Sequence, residues 1–365
     1  MTDARAVSQA APFRRDGVTL AAYMLLAAMT MCSGMIGPLI PWLREALALS
    51  YREAAYHTVA MSVGVTGTAL IVPRVAAAIG RKACVLYALA ALSGGLALVC
   101  LAPALAVSVA GCVMIGTGVP FAITVVPAVM AERHGPHTGV AMAEANAIAY
   151  LGFLFAPAFV SVAAAQGDWR WSFVAPAAIY LGYWLAIRRL DFGVIEMRPR
   201  GAPAGTLPAA YWAHWAMLAL SIGAEMALLI WGPSYLETVL KASRGQALWA
   251  SMAFPAGMAA GRIGVAALLR RRRPDVLALP SMLLGAAGVL VVLCATGLGM
   301  ASLGLLAAGL GIAGLYPFGI TLMLEAAGPA RDRAAARASL AAGMAALFGP
   351  LLVGTIADRH GLLAA

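Results

Sequence analysis

The pentapeptide PFAIT at residues 120–124 recurs as PFGIT at residues 317–321, 197 positions further along, and each copy follows a glycine-rich apolar run. FLFAP, ending at Pro157, recurs as ALFGP, ending at Pro350, an offset of 193 residues, and Gly37-Pro38 recurs as Gly232-Pro233 at an offset of 195. Three matches in the same order at nearly one spacing mark a chain written twice. Each copy must therefore build the same kind of unit.

The composition says what that unit is made of. Of 365 residues, 62% are hydrophobic and 11% charged, and mean hydropathy is +0.88, outside the range of soluble domains. Eleven apolar runs of bilayer-spanning length lie near residues 18–41, 54–79, 83–104, 106–131, 138–164, 171–188, 210–237, 245–269, 276–297, 299–324 and 336–357. They predict an all-α polytopic membrane protein. The polar, Pro- and Gly-rich stretch 190–208 reads as a cytoplasmic linker between an N-terminal half, 1–189, and a C-terminal half, 209–365. By the repeat offset Ala365 corresponds to about Ser172, where the sixth span begins, so the second copy lacks its last helix. Either there are eleven spans or a twelfth lies beyond this sequence; the twelfth is expected, because an unpaired repeat would leave a neighbouring helix uncovered.

The first seventeen residues are polar and the first apolar run is too long for a cleaved signal peptide, so the first span is expected to stay in the membrane. If the N-terminus is cytoplasmic, seventeen of the 25 Lys and Arg residues fall on the inner side and six on the outer, with Arg74 and Arg262 within or at the edge of spans. That bias predicts a cytoplasmic N-terminus and accounts for the net charge of +10 without nucleic acid. Arg outnumbers Lys twenty-three to two and Ala is abundant, as in a GC-rich bacterial genome, which places the chain in a bacterial inner membrane. The five cysteines form no CxxC pair and the five histidines are scattered, so no metal or other cofactor is expected. No phosphate loop or nucleophile motif appears, and no span carries paired Asp, Ser with His, or a metal cluster, so an enzyme is not expected.

Local motifs add a family. Gly80-Arg81-Lys82, in the inner loop between the second and third spans, resembles the tail of the GxLxDRxGRK motif of the major facilitator superfamily. Pro73, Ala77 and Ala78 replace its first Gly, its Asp and a basic residue. GDWRWSF at residues 167–173 is similar to the start of the sixth helix in many members. The drug/proton antiporter signatures are absent, with Cys112 at the place of an Arg and Ala156-Pro157, then Val160-Ser161, at the place of GPxxGG. GAEMALLIWGPSYL in the seventh span, GMAAGR in the eighth and GLGIAGLYP in the tenth instead resemble the fucose-permease-like branch. The resemblance implies two pseudo-symmetric six-helix halves, alternating access, and transport of a small-molecule solute by a monomer.

Charges inside spans are costly and so point to a wet cavity or a partner. Glu225 lies fifteen residues past Ala210, about 22 Å into its helix at 1.5 Å per residue. It reads as a proton carrier, with a structural carboxyl tying two helices together as the alternative. Gly232-Pro233, two turns on, predicts a helix break whose freed carbonyls line the cavity. Glu144, six residues past Thr138, and Arg262, eight before Arg270, sit at similar depths, about 9 to 12 Å from their helix ends. An inner-gate ion pair between Glu144 and Arg262, which closes the inner side and breaks when it opens, is expected, the alternatives being that Arg262 snorkels to the interface or binds an anionic solute. Asn146 and Tyr150, four apart on one helix face, form a polar patch for a solute, and Trp231 and Tyr235 repeat the spacing in the seventh span as cavity or belt aromatics. His57 and His214 are expected at the interfaces. The resulting expectation is proton-coupled symport of a small organic solute; a proton-driven exporter of a metabolite or drug and a non-transporting solute sensor are the alternatives.

Overall fold

The computed structural model describes residues 14–135, 138–190, 192, 207–269, 271–327 and 331–365, and no strand occurs among them. In the first half α1 (Gly17–Ala46), α2 (Tyr51–Cys100), α3 (Leu105–His134), α4 (Thr138–Ala165), a 3-10 turn (Trp169–Phe173) and α5 (Val174–Ile187) follow in order. The second half holds α6 (Ala209–Thr238), α7 (Arg244–Ser251), α8 (Ala253–Leu268), α9 (Pro274–Leu293), α10 (Leu298–Ile312), α11 (Leu315–Ala326) and α12 (Arg331–His360). Eight stretches among the described residues are long and apolar enough to cross a membrane, α2 supplying two of them. Linker residues 191 and 193–206 lie outside the described residues.

Helix ends follow local chemistry. Ser50 caps α2 and Ser243 caps α7, each in a reciprocal capping box, with Glu53 and Gln246 respectively. Asp16 caps α1, accepting from the Thr19 N–H at 2.8 Å. Inside α2 the helix is interrupted at Gly80, whose φ of +79° suits glycine and lets the chain fold back between the second and third spans. In the eighth span Pro255 has no N–H to return to Ser251, and the helix divides there into α7 and α8.

The duplication reappears in the packing. α1 packs on α4 as α6 packs on α12, and α2 packs on α3 as α8 and α9 pack on α10. A Cβ on Gly64 or Gly116 would strike the facing helix, and so would one on Gly257 or Gly309; Gly95 with Gly111 and Gly288 with Gly304 behave alike. All four correspondences have the offset 193, matching the Pro157 to Pro350 pair. These glycines permit close helix contact. The offset becomes 197 at PFGIT, so the second copy has gained one helical turn between Gly309 and Pro317. It does so where α10 ends and α11 begins, whereas α3 runs through the equivalent region unbroken.

Let the N-terminal face be the side on which α1 begins. The described polar and ring contacts that join the halves lie between mid-depth and the opposite face. Asp358 of α12 accepts from the backbone N–H groups of Tyr51 (2.6 Å) and Arg52 (2.8 Å), capping α2 from the other half. Arg244 pairs with Glu45 of α1, bonds Glu237 at 2.8 Å, and lies 4.7 Å over the Trp42 ring. Tyr51 meets Trp231 edge-on at 5.8 Å.

One expectation is corrected here. Gly232-Pro233 does not break α6, which continues to Thr238. The Leu229 carbonyl, which Pro233 cannot satisfy, instead faces Gly37 of α1, where a Cβ would fall on that oxygen and 2.9 Å from Ile230 Cα. The missing N–H is therefore used at a helix contact rather than at a cavity wall.

Candidate functional site

Glu225 is buried on α6. Tyr150, buried on α4 of the other half, donates from Oη to Glu225 Oε1 at 3.3 Å. Arg262 on α8 lies with its guanidinium carbon 4.1 Å from the centroid of the same Tyr150 ring. Gly257 and Gly261, on the α8 face that meets Leu306, Leu310 and Ala313, hold α8 against its neighbours and so fix the helix that carries Arg262. Tyr316, at the start of α11, is 41% exposed and within electrostatic reach of both Arg262 and Glu225. A carboxyl, a guanidinium and two phenols from four helices and both halves thus converge at mid-depth. Each charged hydrogen bond of this kind contributes about 1.5–3 kcal/mol and a desolvated cation–π contact up to about 2.

Glu144 and Arg262 are not paired in this structure. Glu144 is held by Arg15, with bonds of 2.6 and 2.8 Å, and by the Tyr23 hydroxyl at 3.2 Å. Arg15 precedes α1, which packs along α4, so a base of the same half reaches Glu144 first. Arg262 stands level with Tyr150, six residues or about 9 Å further along α4 than Glu144. Matching distances from helix ends does not match depth when the helices end at different levels.

Asn146 is exposed one turn before Tyr150 and donates to the Met142 carbonyl at 2.8 Å. Trp231 and Tyr235 are buried and do not join Asn146 in a shared cavity. Trp231 Nε1 donates to the Pro350 carbonyl at 3.3 Å, and both aromatics border a separate, mostly apolar cavity of about 380 Å³ near α9. Their helix positions, six and ten residues past Glu225, put them on other faces of α6. His57 is fully buried between helices, with ring nitrogens 2.9 Å from the Ala54 carbonyl and 2.8 Å from Ser108 Oγ. His214 Nδ1 is likewise buried, without a partner.

At the N-terminal face the described ion pairs each stay within one half. Arg81, beside Gly80, makes a two-pronged bond to Glu132 at 2.5 and 2.6 Å and reaches the Phe192 carbonyl at 3.0 Å. The basic loop is therefore pinned by α3, although Ala77 replaces the usual Asp. Asp16 binds Arg133 and Thr19. Partial burial opposes its ionisation, but the Thr19 and Arg133 bonds outweigh that and lower its pKa to about 2.

A pseudo-symmetric helical bundle that crosses a membrane many times, with a charged site between its halves, defines a membrane transporter. The chain belongs to the Major Facilitator Superfamily, whose profile matches residues 22–303. No curated protein matches it. Among solved structures it is similar to the nucleoside transporter NupG (TM-score 0.74, 13% identity, 94% of this chain and 93% of that one). It is also similar to a D-xylose-proton symporter (0.71, 15%, 94% and 92%). A bacterial homolog of the human lysosomal transporter Spinster, inward-facing and occupied, matches as well (0.71, 14%, 94% and 82%). At these identities the likeness shows the fold.

Proposed function

We propose that the protein is a secondary active transporter that takes up a small organic solute together with protons by alternating access. Glu225 is the proton site in this reading. The observation that carries it is the bridge from Tyr150 of one half to Glu225 and the Arg262 beside it in the other. A carboxyl buried at mid-depth is costly when charged and unpaired, and its partner here belongs to the half that must move. Protonation of Glu225 turns an accepted bond into a neutral contact, so it changes how strongly the halves hold together. The resemblance to the fucose-permease-like branch supports uptake rather than export.

The charge bias supports a bacterial inner-membrane location with the N-terminal face cytoplasmic. The described contacts between halves, from mid-depth to the opposite face, then correspond to a state closed on the outside. The test is flux in proteoliposomes, using a solute found by thermal-shift screening of the purified protein. A pH gradient should drive accumulation by the wild type, and Glu225→Gln should accumulate no more than empty liposomes while still exchanging solute. Gradient-independent flux with a fully active Glu225→Gln would overturn the assignment.

A further inference from the structure

Resting on the transporter reading, we infer that the solute is a small organic anion and that Arg262 binds its carboxylate. The starting observation is a cation at mid-depth without a close ion pair among the described residues. Arg262 forms no ion pair among the described residues, and its Nε–H is buried without a hydrogen-bond partner. Glu225, whose charge acts on it, is bonded to Tyr150 instead.

The guanidinium carbon of Arg262 sits over the Tyr150 ring, 4.1 Å from its centroid. The guanidinium carries five N–H donors in one plane, more than a single ring contact engages. A carboxylate arriving edge-on accepts two parallel N–H bonds, a match that a hydroxyl or a carbonyl cannot reproduce. Arg262 is only partly buried, Asn146 is exposed one turn from Tyr150, and Tyr316 is 41% exposed, so polar groups of this region are accessible. Mid-depth placement excludes a lipid headgroup as the source of the anion. A neutral acceptor could take the Nε–H bond but would leave the charge to Glu225 alone, and a cation would be repelled. With Glu225 protonated, an anion on Arg262 leaves the membrane centre without net charge.

Thermal unfolding of the purified protein tests this with three acid and amide pairs: propionate and propionamide, lactate and lactamide, benzoate and benzamide. At least one acid should raise the unfolding midpoint of the wild type saturably while its amide does not. Arg262→Gln should bind that acid at least about tenfold more weakly, and Arg262→Lys, which keeps the charge without the planar fork, should fall between. The inference is overturned if no acid stabilises the wild type, if an amide matches its acid, or if Arg262→Gln retains the acid's effect. Should Arg262→Gln not fold, undiminished affinity in Arg262→Lys overturns it instead. No gradient or flux enters this readout. Acid binding without transport would reject the transporter reading and leave the anion site standing; Glu225-dependent flux of a neutral solute would do the reverse.

Discussion

Tyr150 touches the two charges of the site with different parts of one side chain, its hydroxyl on Glu225 and its ring on Arg262. Tyr150→Phe removes the first contact and keeps the second, whereas Tyr150→Leu removes both. Flux measured against pH should show Tyr150→Phe altering the pH profile with little change in solute affinity, and Tyr150→Leu weakening both. Asp16 offers a second residue-level test. Its folded pKa of about 2 lies below the usual 3.8, so the stability it contributes is present above about pH 4 and is lost as pH falls through 2. Asp16→Ala should cost about 1 kcal/mol at neutral pH, largely as a lost cap, and flatten thermal stability over that acid window. Glu225 and Tyr150 were legible in the sequence because a carboxylate stands out in an apolar run and polar side chains four apart share a helix face. The partner of Glu144 was not legible: one arginine among many near helix ends carries no label, and only packing of α1 on α4 selects Arg15. Nothing in the sequence marks Tyr316, an aromatic in an apolar run, although it abuts the repeated PFGIT.

Pairs of helices explain what single residues do not. α1 and α6 approach so closely at Gly37 that a side chain there must displace the backbone at Leu229 and Ile230. Gly37→Val should keep the opposite face from sealing. With the five native cysteines replaced, Tyr51→Cys should then react faster with a membrane-impermeant thiol reagent than it does in the Gly37 parent. The sequence showed Gly37-Pro38 and Gly232-Pro233 as a repeated motif. Its use as a contact between the two copies was hidden, because proline suggests a break until another helix is seen against the freed carbonyl. The junction of α10 and α11 has a similar history. Comparing offsets reveals one added turn, and only the fold shows that the turn is absorbed by ending one helix and starting another, with Tyr316 at the new start.

For the whole molecule, the repeat and the spacing of apolar runs were enough to read the fold, since bilayer thickness and duplication leave few alternatives. The conformational state was not readable, because it depends on contacts between halves. Arg244, held by Glu237 of its own half, reaches across that boundary to Glu45, all but Glu45 half-buried. Arg244→Ala should loosen the closed opposite face by about 1 kcal/mol, a several-fold shift in population, visible as a longer distance between spin labels on α1 and α7. The duplication also has a consequence for how the site is divided between the halves. By the local offsets, the counterparts of Glu225, Arg262 and Tyr150 are Thr30, Ala69 and Gly343, none of them ionisable in the physiological range. Both copies begin on the same face, so the axis that relates them runs along the membrane normal and leaves each face in place. The second copy carries both ions and the first supplies the phenol, so the two charges travel with one half while the group that bridges them travels with the other.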